Sequence, residues 1–139
     1  VDISEHALEV ADQNIEYFGL DGRVNVHQSD LFNNLPDCQY NLVICNPPYV
    51  NSHSMESLPA EYRHEPTNAL AGGDDGMDLV RRILNDVPRF LAPNGLLVLE
   101  IGNEFENFMT AFPELEPVWL STANADNQIL LLTREQLAS

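Results

Sequence analysis

Asn46, Pro47, Pro48 and Tyr49 follow one another in a chain of 139 residues, and together they hold the parts needed to grip a planar NH2 group. Pro47 and Pro48 lack an amide hydrogen, fix φ, and press the residue before each into extended backbone. A stiff loop results, with carbonyls that can accept. The Asn46 side-chain oxygen and the Pro47 carbonyl can take both hydrogens of an amide or nucleobase NH2, and Tyr49 offers an aromatic face for a flat group. Such a nitrogen is a poor nucleophile because its lone pair is delocalised. Two acceptors return electron density to it and aim the lone pair, which is positioning plus preorganised electrostatics. No strong base is needed. Asn-Pro and Pro-Pro are also ordinary loop formers, so the four residues alone fit a rigid turn equally well.

The elements around the motif decide where it stands. Tyr40-Asn41-Leu42-Val43-Ile44-Cys45 runs directly into it and has the composition of a strand buried on both faces. The motif therefore caps the carboxyl end of a strand, the edge at which open α/β sheets bind ligands. Upstream, Ser4 can cap a helix carrying Leu8, Ala11 and Ile15 at helical spacing, with Gly19 past its end. Asp21-Gly22 turns the chain into Arg23–Gln28, where alternation predicts a strand, and Asp30 stands just beyond it. Residues 50–76 show little periodicity and many polar, Pro and Gly residues, the character of a binding loop. Val80, Ile83, Leu84 and Val87 predict a helix that Pro88 ends, and Pro93-Asn94-Gly95 predicts a turn into a second buried strand, Leu96–Ile101. Phe105, Phe108, Met109 and Phe112 predict another helix. Val118–Leu120 and Ile129–Leu132 predict an antiparallel hairpin. The order is α/β with parallel central strands and an antiparallel end, and it sets Asp2, Asp30 and Asn46 on one edge of the sheet.

Bulk properties narrow the partners. Six Arg and no Lys stand against 22 acidic residues, for a net charge of −16. A broad phosphate-binding surface needs clustered cations, so no direct nucleic-acid contact is expected, whereas a basic protein partner is permitted. An acidic surface that merely keeps the chain soluble explains the charge as well. No run approaches the ~18 apolar residues of a membrane span, and Cys38 and Cys45 form no disulfide framework, which fits a reducing cytoplasm. His6, His27, His53 and His64 show no metal spacing with either cysteine. Glu100, at a strand end, reads either as a pocket residue or as a hydrogen-bonded structural carboxylate.

With Asp2, Asp30 and Asn46-Pro47-Pro48-Tyr49 in that order, the chain resembles the class I S-adenosylmethionine-dependent methyltransferases. More narrowly it resembles the family that methylates the side-chain amide of glutamine in release factors and ribosomal proteins, nearest to the branch acting on large-subunit ribosomal protein three. Val1–Ser4, Ser29–Phe32, Leu58–Pro66, Asp75-Gly76 and Leu132–Leu137 carry the likeness across nearly the whole chain. The Asn-Pro-Pro-Tyr motif is shared with enzymes of nucleobase amines; Tyr62-Arg63-His64-Glu65-Pro66 marks the glutamine branch, where Arg63, His64 and Glu65 are read as ordering the loop.

The resemblance implies a Rossmann-like sheet, mostly parallel with a terminal antiparallel hairpin. It implies S-adenosyl-L-methionine as cofactor, with Asp2 on its ribose hydroxyls, Asp30 on the adenine amino group and the Leu31 amide near the ring. Asn46, Pro47, Pro48 and Tyr49 would hold the substrate amide, with Asn46, Pro47 and Tyr49 as the catalytic residues and Asn46 also in reach of the cofactor. The family's first strand and glycine-rich turn have no counterpart here, so residues 1–139 are expected to be a single, incomplete catalytic domain whose upstream part is missing. Such a piece is expected to bind cofactor weakly, to be inactive alone and to be prone to self-association. Two other readings stay open: methylation of an exocyclic amine of a DNA or RNA base, and an inert docking or self-assembling piece.

Overall fold

The computed structural model describes residues 1–47, 76–123 and 125–138. They fall into two compact units, Val1–Cys38 and Gln39–Ser139, and each is described by itself. Pro48, Tyr49, Arg63, His64 and Glu65 lie outside the described residues.

In the first unit, Ser4 caps helix α1 (Glu5–Tyr17) as its sequence predicts, its hydroxyl accepting from the Ala7 amide at 3.3 Å. Gly19, at φ +64°, takes the left-handed position past the helix end, where no Cβ is wanted. The strand predicted over Arg23–Gln28 is reduced to one parallel bridge, Asp2 to Gln28. The Asp2 amide donates to the His27 carbonyl and the Ser29 amide to the Asp2 carbonyl, and no further ladder forms among the described residues. Alternation in residues 23–28 marks a segment able to be a strand; pairing, which alternation cannot supply, decides whether it is one.

The second unit is a four-stranded sheet in the order β1-β2-β4-β3: β1 (Tyr40–Cys45), β2 (Leu91–Glu100), β3 (Val118–Thr122) and β4 (Ala125–Thr133). β1 and β2 run parallel, and β4 pairs antiparallel with both β2 and β3. Helix α2 (Asp78–Asp86) buries Val80, Ile83 and Leu84, one face at helical spacing, and a 3-10 turn over Val87–Arg89 follows where Pro88 forbids more helix. Helix α3 (Phe105–Ala111) buries Phe108. One face of the sheet is fully covered: the cross-strand pairs Leu97–Leu132 and Leu99–Leu130 are buried completely.

Among the described residues the opposite face is less covered: Leu96, Val98, Ile129 and Leu131 are half-buried. Leu42 is 49% exposed, Ile44 71% and Val118 57%. This corrects the reading of β1 as buried on both faces: among the described residues β1 is an edge strand with one half-covered face, Val43 and Cys45, and one exposed one, Leu42 and Ile44. An apolar, β-branched run is equally the signature of a strand in a fully covered sheet and of one whose cover is not among the described elements.

Pro93-Asn94-Gly95 does not precede β2, as predicted, but interrupts it. Tyr40 pairs with Leu91 and Leu42 with Leu96, so Ala92–Gly95 bulges between. Glycine is required at 95, because a Cβ there would meet the Ala92 carbonyl oxygen at 2.7 Å. The last helical turn, α4 (Arg134–Leu137), pins this bulge. Thr133 and Gln136 form a reciprocal capping box, Arg134 donates to the Pro88 carbonyl, and the Glu135 carboxylate accepts from the Asn94 amide at 3.0 Å.

The Asn94 amide, foremost, holds the Glu135 carboxyl below its ordinary pKa. A depressed folded-state pKa contributes stability that is present above the unfolded value, about 4.3, and lost as pH falls through the folded one. Glu135→Gln should therefore lower the urea midpoint at pH 7 and make little difference at pH 3. Equal losses at both would show the pairing to be silent.

Candidate active site

Two strand ends stand together in the second unit. β1 and β2 are parallel with Cys45 opposite Leu99, so Asn46-Pro47 and Glu100-Ile101-Gly102 leave the sheet side by side on its carboxyl edge. Asn46 is exposed and Pro47 buried, so the loop is anchored by its ring while its acceptor side chain stays accessible. Glu100 is half-buried. Beyond it, Gly102 turns at φ +56°, the Ile101 amide donates to the Gln128 carbonyl, and the Gln128 side chain donates to Asn103 at 2.9 Å, fixing the start of α3 to β4.

Cys45 sits just before the acceptor loop. Burial pushes its thiol up to about 11, so it is almost wholly protonated at neutral pH and inert as a nucleophile. Cys38 is exposed. A brief maleimide treatment at pH 7.5 should label Cys38 and spare Cys45 in peptide mass spectra; equal labelling would show that β1 opens readily.

The first unit holds the other predicted residues. Asp2 and Asp30 are brought close by the bridge between Asp2 and Gln28 and by the Ser29 amide on the Asp2 carbonyl. One oxygen of the exposed Asp2 carboxylate accepts from the Ser4 amide at 2.8 Å; the other accepts no hydrogen bond among the described residues, which leaves capacity for hydroxyl donors. Leu31 has φ +53°. A left-handed leucine is an uncommon conformation held by its surroundings, here beside the buried Ser29, whose hydroxyl accepts from the Asn34 amide at 2.9 Å. That hydroxyl was not singled out from the sequence; a Ser opening the turn-forming stretch Ser29–Asn34 was the available signal. The residues present fit the ribose and adenine parts of a nucleoside. Asp2, Asp30 and Leu31 thus belong to one unit and Asn46, Pro47 and Glu100 to the other. Among the described residues no group of His, Cys, Asp and Glu could hold a metal ion, and no helix is long and apolar enough to cross a membrane.

Residues 1–62 match the family model of the methyltransferase small domain. The chain is 59% identical over 137 residues to a protein of Bordetella pertussis named ribosomal protein uL3 glutamine methyltransferase, covering 99% of this chain and 46% of that protein. Proteins of the same name from Burkholderia pseudomallei and Neisseria meningitidis are 49% and 47% identical over 99% of the chain and 47% and 45% of their own lengths. The chain is similar to these methyltransferases over nearly its whole length and spans about half the length of the curated relatives it matches.

Proposed function

We propose that the full-length enzyme carrying this chain transfers a methyl group from S-adenosyl-L-methionine to the side-chain nitrogen of a glutamine in a ribosomal protein. One observation carries the reading: relatives with 47–59% identity across these residues are named ribosomal protein uL3 glutamine methyltransferase. Asn46-Pro47, just past the end of β1, supports it by supplying two acceptors. When bound, the cofactor would supply a methyl group on a cationic sulfur, which leaves as a neutral thioether.

The chain's own residues do the rest. The Asn46 oxygen and the Pro47 carbonyl each take one N–H of the glutamine amide, which holds its plane and turns the lone pair toward the methyl carbon. Both acceptors are preorganised, so the charge that builds on nitrogen meets aligned dipoles. The methylated nitrogen is far more acidic than the starting amide, and its spare proton leaves to water. Asp2 holds ribose hydroxyls, and Asp30 with the Leu31 amide receives the adenine edge. The partner is a basic protein, whose charge complements the −16 of these residues.

Incubating the full-length enzyme with methyl-labelled cofactor and either ribosomal protein or nucleic acid tests this. Label in a single glutamine-containing peptide of the protein is the expected result. Label confined to nucleic acid would sink the proposal.

A further inference from the structure

The grip described above works in only one orientation of Asn46. Oxygen and NH2 of an asparagine side chain have nearly the same shape, and the flipped form would present a donor to the donors of the substrate amide. Pro47 cannot set the flip, since it has no N–H to offer the Asn46 oxygen and its carbonyl is engaged by substrate. Some neighbouring acceptor has to hold the Asn46 NH2 group.

The sheet register identifies one. Cys45 lies opposite Leu99 in the parallel pair, which sets Asn46 and Glu100 at the next step on each chain, about 4.8 Å apart at strand spacing. Alternation sets them on the same face. Leu97 and Leu99 point into the covered side, and Leu96, Val98 and Glu100 take the other, as do Leu42 and Ile44 of β1. Pro47 keeps Asn46 extended, so the alternation of β1 carries on through it.

Glu100 is suited to the task by what it lacks. Its partner on β4 is Ile129, whose side chain offers no donor, and among the described residues neither the Glu100 nor the Asn46 side chain has a hydrogen-bond or ion-pair partner, each other included. The expectation of a hydrogen-bonded structural carboxylate thus finds no support. An ionised carboxylate is an acceptor only, so it can bind the NH2 side of Asn46 and never the oxygen side.

We propose that Glu100 is a positioning residue that accepts from Asn46 Nδ2 and thereby turns Asn46 Oδ1 toward the substrate nitrogen. This rests on the amide-gripping role of Asn46. In the full-length enzyme, Glu100→Ala should lower kcat about 10- to 100-fold, the scale of a misplaced reacting group, with the cofactor KM unchanged. Glu100→Gln, whose Oε1 still accepts, should stay within about threefold of the parent. Asn46→Asp sets two carboxylates side by side and should lose most activity; adding Glu100→Gln to it should restore at least about tenfold, because the amide now donates to the new carboxylate.

A role in folding alone would give no such rescue. Unchanged kcat in Glu100→Ala, or no recovery in the Asn46→Asp/Glu100→Gln pair, would overturn the proposal; if the alanine variant does not fold, the paired rescue decides. Full activity in Asn46→Ala would instead remove the amide-gripping reading beneath it.

Discussion

Asn46→Ala is expected to lower kcat for glutamine methylation in the full-length enzyme by about 10²–10³-fold, the usual loss when one preorganised group facing developing charge is deleted. On the proposed role the removed oxygen contacts the amide and not the nucleoside, so the cofactor KM should move little. Stability should not move much either: Asn46 is exposed and has no hydrogen-bond partner among the described residues, so a shift within about 0.5 kcal/mol is expected. Single-turnover methylation with labelled cofactor, alongside a melting curve, separates the two quantities. A variant that keeps a tenth or more of its kcat would show that the Pro47 carbonyl suffices and that the asparagine is a turn former after all.

The largest structural effect is expected at Phe108. It is fully buried, with ring centroids 5.0 Å from Phe112 and 5.8 Å from Trp119, and Trp119 also meets Phe105 at 4.9 Å. This aromatic group fastens α3 to β3, a strand whose one neighbour among the described strands is β4. Phe108→Ala removes the transfer energy of the ring and leaves a cavity, together about 3–5 kcal/mol, against a total domain stability of about 5–15 kcal/mol. Trp119 is the only tryptophan in the chain, so its fluorescence reports on this corner directly. A urea midpoint unchanged from the parent would mean that the group is not a stabilising core.

The sequence was most readable where side chains report on local geometry. Ser4 and Gly19 bound α1, Pro88 ends α2, and Phe105 and Phe108 lie on α3 with Phe112 just past its end. It was least readable where the answer depends on a neighbour. Nothing in Tyr40–Cys45 says whether its second face is covered, and residues 23–28 alternate whether or not a partner strand lies alongside. Pro93-Asn94-Gly95 carries turn chemistry that a bulge uses equally well; only the step from Tyr40–Leu91 to Leu42–Leu96 tells them apart. For the site, residue types supplied the acceptors and the carboxylates. The left-handed backbone at Leu31 and the register that sets Glu100 beside Asn46 are consequences of tertiary pairing.

The strand order carries a consequence for how the chain is made. β3 is synthesised before β4 yet pairs only with it, and β4 in turn lies between β3 and β2. β1 and β2 can meet as soon as both exist, but Trp119 and its strand have no backbone partner until residues 125–133 arrive. The contacts between β2 and β4 also span the whole of α3 and β3, and such non-local pairing slows folding because loop entropy is spent before contacts form. During synthesis this half of the sheet therefore remains an unpaired apolar edge, so β4 is the segment whose arrival commits the unit to its fold.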